Sequence, residues 1–183
     1  MSQTKKRTPE EILEEARAMI GNESRPRTDP YPVEYEPIRR YCIMVDDDNP
    51  LFLDPEYASN TKYGSVILPP FASFGIMSGG SPQQMADYLT DPETPVMPPH
   101  PGEFVINMAQ EWEWFKPVKV GDRLTMKGRL ADVYMKPIRL DPKTFWFTVE
   151  MIFSNQHGEV VCVVRNIALS HRSPEEVAAD QSG

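Results

Sequence analysis

Two residue periods divide this chain, and the second of them decides what it can fold into. Phe145, Phe147, Val149, Met151 and Phe153 alternate with Trp146, Thr148, Glu150 and Ile152. Large apolar side chains at a spacing of two share one face of a strand, and that face must be covered. The flanking segments keep the same period. Ile106, Met108, Trp112 and Trp114 alternate with Asn107, Ala109, Glu111 and Glu113, which places the first four on one face of a strand. Arg123–Tyr134 reads as a second strand, and Glu159–His171 as a long last one carrying Val161, Val163, Ile167 and Leu169. Lys116–Asp122 and Asn155-Gln156-His157-Gly158 are turns, and 137–143 is a loop. Strands joined in sequence by short turns form an antiparallel meander.

The first half is helical and proline-rich. In Thr8-Pro9-Glu10-Glu11, Thr8 can cap a helix, Pro9 suits its first turn and Glu11 completes a capping box. Ile12, Leu13, Ala16, Met19 and Ile20 follow on one helical face, and Gly21-Asn22 stops it. A polar loop over 22–36 leads to a second helix near Pro37, with Ile38, Tyr41, Cys42 and Val45 on its apolar face. That helix runs into Asp46-Asp47-Asp48, three carboxylates at its negative end. Beyond the Asn49-Pro50 break, Asp54–Ala58 reads as a short helical piece and Ser65–Leu68 as extended. Pro69-Pro70 opens a helix holding Phe71, Phe74, Ile76 and Met77, the most apolar candidate to cover the sheet. A long loop over 80–103, with one helical turn near Gln83–Leu89, precedes the strands. Helices followed by a meander define an α+β class. The expected division is an N-terminal helix and loop over 1–36, one domain over 37–172 and a polar, weakly ordered tail over 173–183.

Composition narrows the function. A net charge of −8 argues against a nucleic-acid partner. No apolar run reaches the ~20 residues that span a bilayer, so no membrane insertion is expected. The basic start, Lys5-Lys6-Arg7, is followed by Glu-rich sequence rather than an apolar core, which is unlike a signal peptide. Cys42 and Cys162 lie in apolar surroundings without metal-ligand spacing and are expected to be buried, reduced thiols of a cytoplasmic protein, with no metal site.

Several short motifs occur in a telling order: Asp47-Asp48-Asn49-Pro50-Leu51-Phe52, then Leu53-Asp54, Tyr63-Gly64, Pro69-Pro70, Pro117-Val118-Lys119-Val120-Gly121-Asp122 and Asn155–Val161. From about Ile38 to His171 this resembles the MaoC-like hydratases and dehydratases. The extension over 8–45 resembles their fatty-acid-synthase-type dehydratase N-terminal domain branch, which includes small subunits of mycolic-acid and steroid side-chain dehydratases. The resemblance implies a single hotdog domain, an antiparallel sheet wrapped around a central helix, with an N-terminal helical extension. It also implies hydration of an enoyl thioester, with coenzyme A or a carrier protein as part of the substrate and no cofactor. Assembly with a second chain, as a homodimer, heterodimer or heterotetramer, is implied as well.

That chemistry holds water between a carboxylate and an imidazole and polarises the thioester oxygen with a backbone N–H at a helix start. The family's aspartate falls on Asp47 and its loop-fixing asparagine on Asn49, but its histidine falls on Phe52. Its His-Gly helix start falls, without gaps, on Pro69 and Pro70, and proline has no N–H. Phe71 can supply a donor if the helix starts one residue later. A lost acid–base group typically costs ~10²–10⁴-fold and a lost oxyanion donor ~10²–10³-fold.

Phe52, Tyr63, Gly64, Phe74, Met77, Met108 and Trp112 are candidates to contact the acyl group, and Met85, Met97 and Trp114 are further tunnel candidates. Ordinary core and dimer packing is the alternative for each. Eight Lys/Arg against three Asp/Glu between Lys116 and Lys143 offer a basic region for phosphates or a partner. His100, in the proline-rich loop, is a substitute imidazole on a second reading. Three readings follow: the acyl-binding subunit of a heteromeric (R)-specific enoyl-CoA hydratase or 3-hydroxyacyl dehydratase, a self-sufficient homodimeric hydratase using Asp47, and a non-enzymatic acyl-thioester-binding module.

Overall fold

The computed structural model describes residues 7–70, 72 and 87–181. Helices α1 (Pro9–Ala18), α2 (Tyr35–Met44), α3 (Pro50–Leu53) and α4 (Pro55–Ser59) precede strands β2 (Phe104–Trp114), β3 (Thr125–Met135), β4 (Phe145–Ser154) and β5 (Val160–His171). A two-residue strand, β1 (Arg27–Thr28), lies in the first loop, and α5 (Pro174–Gln181) closes the chain. The antiparallel sheet has the order β1-β3-β4-β5-β2, so β2 is an edge that pairs with β5 and not, as the expected meander had it, with β3. The expected Phe71–Met77 helix lies outside the described residues. Among the described residues no helix is long and apolar enough to cross a membrane.

The alternation in β4 is decisive. Phe145, Phe147, Val149, Met151 and Phe153 are all buried on the inner face, and each such side chain contributes about 1.5–3 kcal/mol by leaving water. Cross-strand pairing adds Met126, Leu130 and Val133 from β3, and Cys162, Val164 and Ala168 from β5. The step of three from Leu130 to Val133 follows from a register shift between Leu130 and Asp132. Two apolar clusters divide this face lengthwise. One gathers Ile38, Cys42, Phe52, Val66, Leu68, Val118, Leu124, Phe153 and Cys162. The other gathers Ile12, Leu13 and Ala16 of α1 with Val96, Leu130, Phe145 and Phe147. The outer face carries an ion row. Arg129 Nε and Arg165 Nε each donate to Glu150 at 2.9 Å, and Arg165 Nη1 donates to Glu113 at 2.9 Å. Burial pushes the Glu150 carboxyl up, but the two guanidinium groups outweigh it and hold the carboxyl below its ordinary range.

The structure corrects several expectations. In β2, a shift of register between Asn107 and Ala109 leaves Met108 as a bulge. Ile106 pairs with Leu169 and Trp112 with Val164, five β5 positions away, so Ile106 and the two tryptophans face opposite ways. Ile106 and Met108 are exposed. β5 is buried from Val161 to Val164 on both faces rather than on alternate ones. Ile20 and Val45 are exposed because α1 ends at Ala18 and α2 at Met44, before either residue can join the apolar face. Pro50–Leu53, at the Asn49-Pro50 break where no helix is expected, is a helical turn.

The expected tail over 173–183 is helical from Pro174 to Gln181, for a local reason. Ser173 Oγ accepts from Glu176 N at 3.2 Å while Glu176 Oε2 accepts from Ser173 N at 3.1 Å, a capping box like that of Thr8 and Glu11. Arg172 locks the helix down. Its Nη2 reaches Asp141 Oδ1 at 2.7 Å, its Nε reaches Oδ2 at 3.1 Å, and its Nη1 reaches Asp180 at 3.1 Å. Asp141 is 0% and Arg172 5% exposed. Burial pushes the Asp141 carboxyl up, and the Arg172 guanidinium with the backbone N–H groups of Arg172 and Lys143 brings it below its ordinary value.

Candidate functional site

The loop from α2 to α4 is built by three consecutive polar caps. Asp46 takes a left-handed backbone at φ 57° and turns the chain out of α2, and Asp47 N then donates to Cys42 O at 2.9 Å. Asp47 Oδ1 accepts from Asn49 N at 3.1 Å. Asn49 Oδ1 accepts from Leu51 N at 3.0 Å and starts α3, with Pro50 at its first position. Asp54 Oδ1 accepts from Glu56 N at 2.9 Å and Tyr57 N at 3.0 Å and starts α4. The Tyr35 hydroxyl donates to Leu53 O at 2.5 Å and pins the loop to α2. Asp47 is half-buried and Asn49 exposed. Phe52, 7% exposed, is driven inward by this geometry and joins the apolar cluster of Val66, Leu68 and Val118.

A cleft of about 260 Å³ opens beside this cluster, lined by Tyr63, Leu68, Pro70, Trp114, Lys116 and others. The turn over 116–122 holds its rim. Leu68 N donates to Val118 O at 2.8 Å and Val120 N to Val66 O at 3.0 Å, while Asp122 Oδ2 accepts from Lys119 N at 2.8 Å. Gly64, at φ 69°, supplies the left-handed backbone that turns Tyr63 onto the cluster. Trp114 stacks on Trp112, with ring centres 6.1 Å apart and planes 16° off parallel. The Trp114 indole Nε1 is buried without a hydrogen-bond partner among the described residues, as is Asn166 Oδ1. Phe52, Tyr63, Pro70 and Trp112 are thus brought to one end of the sheet together with Trp114. Gly64 is exposed on the same turn, whereas Met108 sits exposed in the β2 bulge. Phe71, Phe74, Met77 and Met85 lie outside the described residues.

His100 occupies the other end. Its ring stacks on Phe147, and its Nδ1 lies 2.8 Å from Gly102 O and 3.0 Å from Ser170 Oγ. Because a carbonyl only accepts, Nδ1 carries the hydrogen directed at Gly102 O. A Cβ on Gly102 would meet His171 O at 2.1 Å, so only glycine allows this approach. Phe147 is six residues from Phe153 in β4, about 20 Å at 3.3 Å per residue. His100 therefore stands away from the Phe52 cluster, beside a pocket of about 470 Å³ between α1 and α5 lined by Thr8, Arg172 and Asp180 among others. Four of the eight cations of the expected basic region are paired within the fold: Lys116 with Glu159, Lys127 with Glu23, Arg129 with Glu150, and Lys143 with Glu10 and Asp180. Among the described residues no cluster of three or more His, Cys, Asp or Glu is arranged to hold a metal.

Comparison with known proteins places this geometry. An antiparallel sheet packed on helices, with the capped Asp47–Asp54 loop at one end, defines a hotdog-fold domain. Residues 18–164 match the model of the FAS1-like dehydratase domain region, and the chain belongs to that family of MaoC-like dehydratases. A UPF0336 protein of Streptomyces avermitilis is 34% identical over 113 residues, which is 60% of this chain and 68% of that protein. Among solved structures, the ChsH1-ChsH2 complex from Mycobacterium tuberculosis superposes with a TM-score of 0.65 at 18% identity, covering 90% of this chain and 96% of that one. The 3R-hydroxyacyl-ACP dehydratase HadBC complex of the same organism gives 0.61 at 18% identity, over 83% of this chain and 97% of that one. At these identities the structural likeness speaks for the fold.

Proposed function

We propose that this chain is the acyl-holding subunit of an (R)-specific enoyl-CoA hydratase or 3-hydroxyacyl dehydratase, completed by a second MaoC-like chain that brings an intact Asp/His pair. The observation that carries the reading is Phe52. At the position where the family has its histidine, this chain puts an unionisable ring buried in the core, and His100 is held near Phe147 by Gly102 and Ser170. Among the described residues no histidine hydrogen-bonds to Asp47, and Pro70 carries no N–H to polarise a thioester oxygen.

Edge strand β2 supports the need for a partner. Phe104, Val105, Ile106 and Met108 are 45–50% exposed along its free edge, and a long apolar edge is stable in water only when paired or covered. The likeness to two heteromeric complexes adds to this reading. The substrate is an acyl thioester of coenzyme A or a carrier protein, with no further cofactor.

The test is hydration of crotonyl-CoA and of longer or ring-bearing enoyl-CoAs by the purified chain, alone and co-expressed with a MaoC-like chain bearing the Asp-x-Asn-Pro-x-His motif. The expected result is little turnover alone and robust turnover in the complex. Robust turnover by the lone chain refutes the subunit reading and favours a self-sufficient homodimer. Binding without turnover in any combination leaves a non-enzymatic acyl-binding module.

A further inference from the structure

The cleft beside Phe52 opens onto a rim of cations on an otherwise acidic chain. Lys116 lines it, and Lys119 stands directly opposite Ile67, another of its lining residues, in an antiparallel bridge. Residues opposed in this way carry their side chains on the same face. Lys62 holds its ammonium 5.1 Å from the ring centre of Tyr63, which lines the cleft as well. Two carboxylates meet this rim, and both are engaged. Glu159 pairs with Lys116 and accepts from Asn155 Nδ2 at 3.0 Å, while Asp122 accepts from Lys119 N at 2.8 Å and from Gln156 Nε2 at 3.0 Å. Among the described residues the ammonium groups of Lys62 and Lys119 form no ion pair. On a chain of net charge −8, uncompensated cations gathered at one opening set a local positive potential. Phe115 lines the same opening and is 54% exposed, an aromatic ring left largely in water.

We propose that this rim binds the nucleotide end of coenzyme A: Lys62 and Lys119 take its phosphates and Phe115 stacks on its adenine, while the cleft receives the thioester end. The proposal rests on the thioester reading above and chooses within it free coenzyme A over a carrier protein, whose thioester arm carries no adenine. Accessible, unpaired ammonium groups are donors for phosphate oxygens, and an exposed aromatic ring offers a base a stacking platform. At about 260 Å³ the cleft is smaller than the ~300–1,000 Å³ pockets that bury a whole drug-sized ligand, so the nucleotide end of an acyl-CoA lies outside it, on the rim.

The test compares crotonyl-CoA with crotonyl-pantetheine, which shares the thioester and lacks the nucleotide. Binding is measured by calorimetry, with the partner chain present where assembly requires it. Wild-type protein is expected to prefer crotonyl-CoA by about tenfold or more, and the preference should shrink between about 0.05 and 0.5 M salt, because exposed charges are screened. Lys62→Ala and Lys119→Ala should each weaken crotonyl-CoA about 2- to 5-fold, and Phe115→Ala roughly fivefold or more. All three should leave crotonyl-pantetheine within about twofold. Arg139→Ala removes the same charge from the loop that holds Asp141, the partner of Arg172, and should change neither ligand. Equal affinity for the two ligands, an Arg139→Ala loss matching those of the lysine variants, or tighter binding of a crotonyl-carrier protein than of crotonyl-CoA overturns the nucleotide site and leaves the thioester reading standing. Wild-type protein that binds neither ligand overturns both. If a variant fails to fold, the wild-type comparison across the salt range decides: a preference that is absent, or unchanged by salt, refutes the proposal.

Discussion

Arg172→Met tests how the C-terminal helix is held, and its cost can be worked from the geometry. Arg172 gives Asp141 two charge-assisted hydrogen bonds, at 2.7 and 3.1 Å, in a site where neither side chain is more than 6% exposed. At roughly 1.5–3 kcal/mol for each bond to a charged group, the loss is about 3–6 kcal/mol. That agrees with the ~3–5 kcal/mol typical of removing one partner from a buried ion pair. For a chain of this length the shift in Tm is about 6–24 °C. The pH dependence has a definite sign. In the wild-type protein the folded pKa of Asp141 is depressed, so its contribution is complete above the unfolded value near 3.9 and fades as pH falls through the folded one. In the variant the guanidinium is gone and only the backbone N–H groups oppose burial, so the folded pKa rises from its wild-type value. The wild-type protein then loses more stability than the variant as pH falls, and the gap between them narrows. Urea melts followed by circular dichroism from pH 7.5 to 4.5 measure both quantities. Asp141→Asn combined with Arg172→Met, which removes both charges, should recover most of the loss. A variant within ~1 kcal/mol of wild type at pH 7.5, or a gap that widens on acidification, refutes the account.

Three further outcomes are expected. Phe52→His with Pro70→Gly should let the lone chain hydrate crotonyl-CoA measurably while each single change does not, because an imidazole and an oxyanion donor are both needed; turnover in either single variant contradicts this. Cys162, its thiol pushed up to about 12 by burial, should resist iodoacetamide at pH 8 in the folded protein and react quickly in urea, as read by mass spectrometry. Ser173→Ala removes the cap of α5 and should cost that helix about 1 kcal/mol, seen as faster amide exchange over 174–181 with little change elsewhere.

Local chemistry was legible wherever a motif was complete within a few residues. The β4 alternation located the core, Gly158 at φ 77° makes the anticipated hairpin, and Thr8-Pro9-Glu10-Glu11 forms its capping box. The same pattern recurs as Ser173-Pro174-Glu175-Glu176, yet it reads as a tail unless the partner that anchors it is known. That partner, Asp141, is 31 positions away from Arg172. Register was not legible either. One extra residue at Met108 sends Ile106 and Trp112 to opposite faces, and nothing in an alternating sequence marks where a ladder will slip. By itself the sequence determined the β4 periodicity, the Asn49-Pro50 break, and the absence of an imidazole at Phe52 and of an N–H at Pro70, because these are properties of single residues and their near neighbours. Only the tertiary structure decided that Pro70 and Trp114, 44 positions apart, line one cleft, that the buried Trp114 N–H is without an acceptor among the described residues, and that His100 is held at the other end of the sheet. Those are facts about non-local contact, set by how strands pair and which faces are covered, and short-range patterns do not encode them.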